Sequence, residues 1–153
     1  MLGSKSNFFN QSTQVLKNAR ANAYTILRVK GYYLDEVDIY MKAFDYFSQN
    51  PEQFDGATVV KDLVDIPGLD LDAMLHDYQY IHHNVAASFV TKWKADWLYA
   101  KGNERKGKGQ YSAFSRFIGL TIVGIGFVPY VRIKRGKTIN RTVFLEEYNT
   151  LIN

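Results

Sequence analysis

Apolar residues recur at intervals of three and four along four successive segments, and that spacing commits most of the chain to amphipathic helices. Between Ser12 and about Lys30 the stripe is Val15, Leu16, Ala19, Ala23, Ile26 and Leu27, and Gly31 interrupts it. From about Leu34 to Ser48 it is Leu34, Val37, Tyr40, Met41, Phe44 and Phe47. Asp35 and Glu36 sit at the positive end of that second helix, and Gln49-Asn50-Pro51 stops it. Third and fourth helices are expected over about Asp70–Asn84 and Ala87–Lys101. The short connection near Asn84–Ala86 predicts that these two pack antiparallel. Residues 51–69 read as a long loop, with one turn at Val59–Val64 and a turn signal at Asp65-Ile66-Pro67-Gly68.

The C-terminal third follows different patterns. Residues 101–110 are basic and punctuated by glycine, which predicts a loop. Phe117–Val131 is continuously apolar between Arg116 and Arg132, but shorter than the ~18 residues of a membrane span. It is expected to be buried, with insertion into an interface or a partner protein as the alternative. Val131-Arg132-Ile133-Lys134 alternates like a strand, Arg135-Gly136-Lys137 turns, and Thr138–Val143 returns as a hairpin partner. A short helix is expected from about Phe144. The expected architecture is mainly α, one domain over residues 1–153. It comprises a helical extension (1–50), a core (51–116), and an apolar segment with a small C-terminal β-hairpin (117–153).

At 153 residues and 46% apolar content the chain can bury a core of its own. It has no cysteine, which excludes disulfides, thiolate metal sites and cysteine nucleophiles. The N-terminus has no apolar segment behind a basic one, so no secretory signal is expected. Charge is unevenly placed. Residues 1–91 carry 7 Lys/Arg and 11 Asp/Glu, whereas residues 92–141 carry 12 Lys/Arg against Asp96 and Glu104. The basic block suits an anionic partner, whether lipid headgroups, nucleic acid or an acidic protein face.

One segment carries chemistry. In Asp72-Ala73-Met74-Leu75-His76-Asp77-Tyr78-Gln79-Tyr80, His76 and Tyr80 lie one helical turn apart. On the next helix Phe89, Trp93, Asp96 and Ala100 form a stripe in which Asp96 is the exception. A carboxylate facing a core must be paired, and a His held by a buried carboxylate is a common general base. Asp77 beside it offers hard oxygen ligands for a cation.

His76-Asp77-x-x-Tyr80 on one helix and Ala95-Asp96 on the next resemble the phospholipase A2 signature. The cysteine-free type found in viral capsid and phage proteins is the closest form. The resemblance spans roughly residues 54–101. It implies a calcium-dependent lipase in which His76 deprotonates a water that attacks the sn-2 ester, Asp96 orients His76, and Tyr80 hydrogen-bonds Asp96. It further implies that Asp77 binds calcium. The family's upstream calcium loop is glycine-rich, whereas this chain has a single glycine there, leaving Gly56 and the carbonyl of Thr58 as the loop ligands. It also implies a virion or host cytoplasm as location, with other virion or assembly proteins and a phospholipid membrane as partners.

Other readings follow from the same residues. The fold can serve as a catalytically silent virion component, of capsid, portal or tail, that keeps those residues as a polar network. A nucleic-acid module would use the basic block and its interleaved aromatics. Lys101, Arg105, Lys106 and Lys108 are the candidate contacts to lipid phosphates or nucleic acid. His76, His82 and His83 with Asp72 and Asp77 offer metal ligands, although His82-His83 also suits a helix C-terminal end. Neither Gly-x-x-x-x-Gly-Lys-Ser/Thr nor Gly-x-Ser-x-Gly occurs, which argues against nucleotide-phosphate and serine-hydrolase chemistry.

Overall fold

The structure, a computed structural model, describes residues 7–54, 66–107 and 110–152. Among these the chain is mainly helical, and its one β feature is an isolated bridge, Ile66 to Leu69, closing the Pro67-Gly68 turn. Six α-helices follow in order: α1 (Thr13–Val29), α2 (Leu34–Gln49), α3 (Leu71–Ile81), α4 (Phe89–Arg105), α5 (Gln110–Arg135) and α6 (Arg141–Ile152). The contacts divide the chain into two compact units, residues 1–77 and 78–153.

In the first unit the expected stripes form the core. Leu27 and Ala23 of α1 are buried, as are Val37, Tyr40, Phe44 and Phe47 of α2. Phe9 docks on this face, with ring centroids 5.2 Å from Phe44 and 4.9 Å from Phe54. Edge-to-face packing of this kind suits the ring quadrupoles. Asn7 holds the segment in place by donating to the Pro51 carbonyl at 2.6 Å. Glu36 accepts from the Tyr33 N–H at 2.7 Å, so its charge meets the free donors that begin α2. α3 starts in the same way: Asp70 Oδ1 accepts from the N–H groups of Asp72 (2.9 Å) and Ala73 (3.1 Å). The buried Tyr40 hydroxyl donates to Asp72 at 2.7 Å. Burial and the neighbouring Asp72 hold the Tyr40 pKa well above the ordinary tyrosine value.

In the second unit α4 packs along α5, and α6 closes on α4. Val85, Ala95, Leu98 and Phe144 form one core cluster, and Ala86, Ala87 and Val131 form another. The link into α4 is pinned by polar contacts. Asn84, at a left-handed φ of 54°, donates to the carbonyls of Gly136 and Thr138, each at 3.1 Å. Arg132 Nε donates to the Ala87 carbonyl at 2.7 Å.

Two expectations for the C-terminal third are corrected here. The hairpin does not form: residues 131–135 finish α5, and residues 141–152 form α6. Val128 and Val131 are three apart and both buried, as a helix requires, whereas Ile133 is 82% exposed. The turn at Gly136 does form, at a φ of 82°, with its N–H closing on the Arg132 carbonyl. It joins two helices rather than two strands. The apolar run 117–131 is helical but only half buried, since Ile118, Ile122 and Ile125 are exposed. The fourth helix also extends further than expected, through Arg105, into the segment expected as loop. Among the described residues no helix is long and apolar enough to cross a membrane.

Candidate functional site

Asp96 is fully buried on α4, and the second unit supplies two hydrogen-bond donors to it. Tyr80 Oη donates to Asp96 Oδ1 at 2.5 Å, and Lys92 Nζ donates to Asp96 Oδ2 at 2.6 Å. Lys92 is one helical turn before Asp96 and only 4% exposed. Its ammonium also donates to the Leu120 carbonyl of α5 at 2.8 Å. The buried carboxylate is thereby charge-compensated and bonded at both oxygens, which is how an interior ion becomes tolerable. The Tyr80–Asp96 contact is the one that the phospholipase A2 resemblance implied for this pair.

Above this network lies a pocket of about 230 Å³ between α4 and α5. Phe89, Trp93, Ile122 and Ile125 form its apolar walls, with Lys92 and Asp96 also on its lining. The stripe expected on α4 is therefore divided. Asp96 and Ala100 face inward, while Phe89 and Trp93 are 55% and 45% exposed.

His76 and Asp77 are half-buried on α3 and belong to the first unit, whereas Tyr80 and Asp96 belong to the second. Asp77 has the hard-oxygen chemistry that calcium takes. Gly56 and Thr58, the loop ligands that the resemblance implied, lie outside the described residues, as do Lys108 and the turn expected at Val59–Val64. Among the described residues no group of three or more His, Asp or Glu converges on a metal position. Of the candidate anion contacts, Lys101 is exposed, pairs with Glu104 at 3.3 Å and lies 5.1 Å from the Trp97 ring centroid. Arg105 is exposed, but Lys106 is buried at the end of α4, so its side chain is not on the surface.

Three polar features lay beyond the sequence reading. Lys92 stands four residues before Asp96, and that spacing alone was a legible signal for a helical ion pair. The second feature is Gly124. A Cβ at that position would lie 2.6 Å from both Cε and Nζ of Lys92, so the glycine opens the channel through which Lys92 reaches α5. Gly126, two residues on, has nothing within 4 Å of such a Cβ. Gly124→Ala is therefore expected to destabilise the protein by about 1–3 kcal/mol through overpacking, and Gly126→Ala to stabilise it by up to about 1 kcal/mol. Urea midpoints of the two variants check this, and equal shifts would remove the special role of Gly124.

The third feature is a buried pair 64 residues apart. His83 Nε2 lies 3.1 Å from Glu147 Oε2, tying α6 to the end of α3. His83 Nδ1 in turn lies 3.2 Å from His82 Nδ1. Partial burial, and then His83, lower the His82 pKa below its ordinary value. Nothing in the local sequence around His83 signals a partner so distant.

Compared with protein-family models, with curated proteins and with solved structures, the chain matches none.

Proposed function

We propose that the chain is a phospholipase A2-like protein of a virus or phage that hydrolyses the sn-2 ester of phospholipids in a calcium-dependent reaction. The observation that carries this reading is the part-buried Tyr80–Asp96 contact, which joins two residues of the signature across sixteen positions of sequence. In this reading His76 takes the proton of a water as that water attacks the ester carbonyl. The resemblance gives Asp96 the part of orienting the imidazole, and Tyr80 and Lys92 hold Asp96. Asp77 would hold calcium together with the carbonyls at Gly56 and Thr58. The ion would supply charge stabilisation to the carbonyl oxygen.

Hydrolysis of phospholipid in mixed micelles, with and without a calcium chelator, tests the proposal. Fatty acid released from the sn-2 position, and lost on chelation, is the expected result. Release that is indifferent to chelator would remove calcium from the scheme, and no release would remove the activity.

A second reading is favoured by Lys92. A carboxylate already compensated by an ammonium on its own helix also serves a purely structural purpose. A silent virion component with this fold predicts no hydrolysis, together with the same stability effects at Lys92 and Asp96.

A further inference from the structure

We propose that the exposed face of α5 is a docking surface for an anionic lipid bilayer, with the helix lying in the plane of the interface. Ile118, Gly119, Ile122, Ile125, Gly126, Pro129, Tyr130 and Ile133 are all exposed. Their spacing of three, four and one gathers them within an arc of roughly 140° on the helix surface at ~100° per residue. The opposite face carries Gly124, Val128 and Val131, all buried. The exposed stripe runs about 22 Å at ~1.5 Å per residue. Ile122 is 63% exposed, Ile125 71% and Ile133 82%. An exposed face of this length that carries four isoleucines and Tyr130 and no charge marks an interaction surface rather than ordinary surface scatter.

The charge around the stripe selects its partner. Residues 105–145 carry nine Lys/Arg and no Asp/Glu. Lys134, Arg135, Lys137 and Arg141 are exposed and follow Ile133 directly. An isoleucine face bordered by cations is the pattern of a helix that sinks its apolar side among acyl chains while its basic groups meet lipid phosphates. A second copy of the chain would bring two strongly basic segments together. Nucleic acid would find Tyr130 as the one ring within the stripe, set among isoleucines that neither stack on bases nor bond to them. At the other end of the stripe, Trp93 and Trp97 stack in parallel, with centroids 6.2 Å apart. Phe117 packs edge-on to them at 5.7 and 5.1 Å. Indole rings favour the headgroup level of a bilayer, so this group sits where an interfacial α5 needs it.

The inference does not rest on the hydrolase reading, and the test separates the two. The full chain is mixed, in chelator, with vesicles of ether-linked phospholipids, which have no sn-2 ester to cleave. One set is phosphatidylcholine alone, and the other contains phosphatidylglycerol. Partition at least tenfold tighter onto the anionic vesicles is expected, with a blue shift of the fluorescence of Trp93 and Trp97, the two tryptophans of the chain. Ile122→Asp combined with Ile125→Asp should weaken partition at least tenfold while the helical circular dichroism of the parent is kept. Lys134→Gln with Arg135→Gln should weaken binding to anionic vesicles only and flatten its salt dependence. If the aspartate pair fails to fold, Ile133→Asp, at the end of the helix, replaces it with the same expected direction. Equal partition onto both vesicle types overturns the proposal, as does full binding by a folded aspartate variant. Lipid-free self-association that the aspartate pair abolishes also overturns it, making the stripe a seam between two copies.

Discussion

Lys92→Ala is expected to destabilise the second unit by about 3–5 kcal/mol, the usual consequence of stranding one member of a buried ion pair. Asp96 would keep its hydrogen bond from Tyr80 but lose the Lys92 ammonium that bonds its other oxygen. Natural domains hold about 5–15 kcal/mol in total, so the loss would be a large share of the whole. Both tryptophans lie on α4, beside the pair, so denaturant unfolding followed by their fluorescence reports on this unit. The companion variant replaces the network by apolar groups of similar size: Lys92→Met, Asp96→Leu and Tyr80→Phe together. It should return to within about 1–2 kcal/mol of the parent or exceed it, because no charge is then left buried. If Lys92→Ala costs less than about 1 kcal/mol, water must reach Asp96 and the pair is not an interior one.

His76→Ala is expected to reduce chelator-sensitive hydrolysis by about 10²–10⁴-fold, the range over which a positioned general base contributes. Its thermal midpoint should change far less than that of Lys92→Ala, since His76 is half-buried. Tyr80→Phe belongs beside it. Removing one hydrogen bond to a charged group costs about 1.5–3 kcal/mol. Where Tyr80 only positions Asp96, the rate should fall about 10–100-fold, with the substrate concentration for half-maximal rate unchanged. Hydrolysis that persists in His76→Ala at the parent rate would take the base role from His76, whatever the calcium dependence. A drop in rate that merely tracks unfolding in both variants would favour the silent structural reading.

Helices α1 to α4 were legible because each stripe is local: Val37, Tyr40, Phe44 and Phe47 repeat within one element and need no distant partner to be read. Capping was equally local. Glu36, Asp70 and Gly136 act within a few residues of their own position. That Asp96 needs a partner was legible as well, since a carboxylate on an apolar stripe demands one wherever the stripe is buried, but Tyr80 as that partner came only from the phospholipase A2 resemblance.

Other features were set by packing across the chain. Val131-Arg132-Ile133-Lys134 satisfies a strand pattern over four residues, but such a short run is also consistent with a helix. The helix is the form seen, with Val131 packed on Ala86 and Ala87 and Ile133 left outward. Composition alone makes 117–131 look like a core segment. Its exposure depends on how many elements surround α5, and along one side none of the described residues covers it. Lys92 reached Asp96 along a spacing visible in sequence, yet its burial required a glycine 32 residues away to make room. His83 and Glu147 meet only because α6 folds back. Sequence by itself therefore determined the helices as far as α4, whose stripes depend on near neighbours, but not α5 or the start of α6, where a strand pattern stood in for a helix. The tertiary structure decided which apolar residues are covered and which charges are paired, because burial belongs to the assembled helices rather than to any one of them.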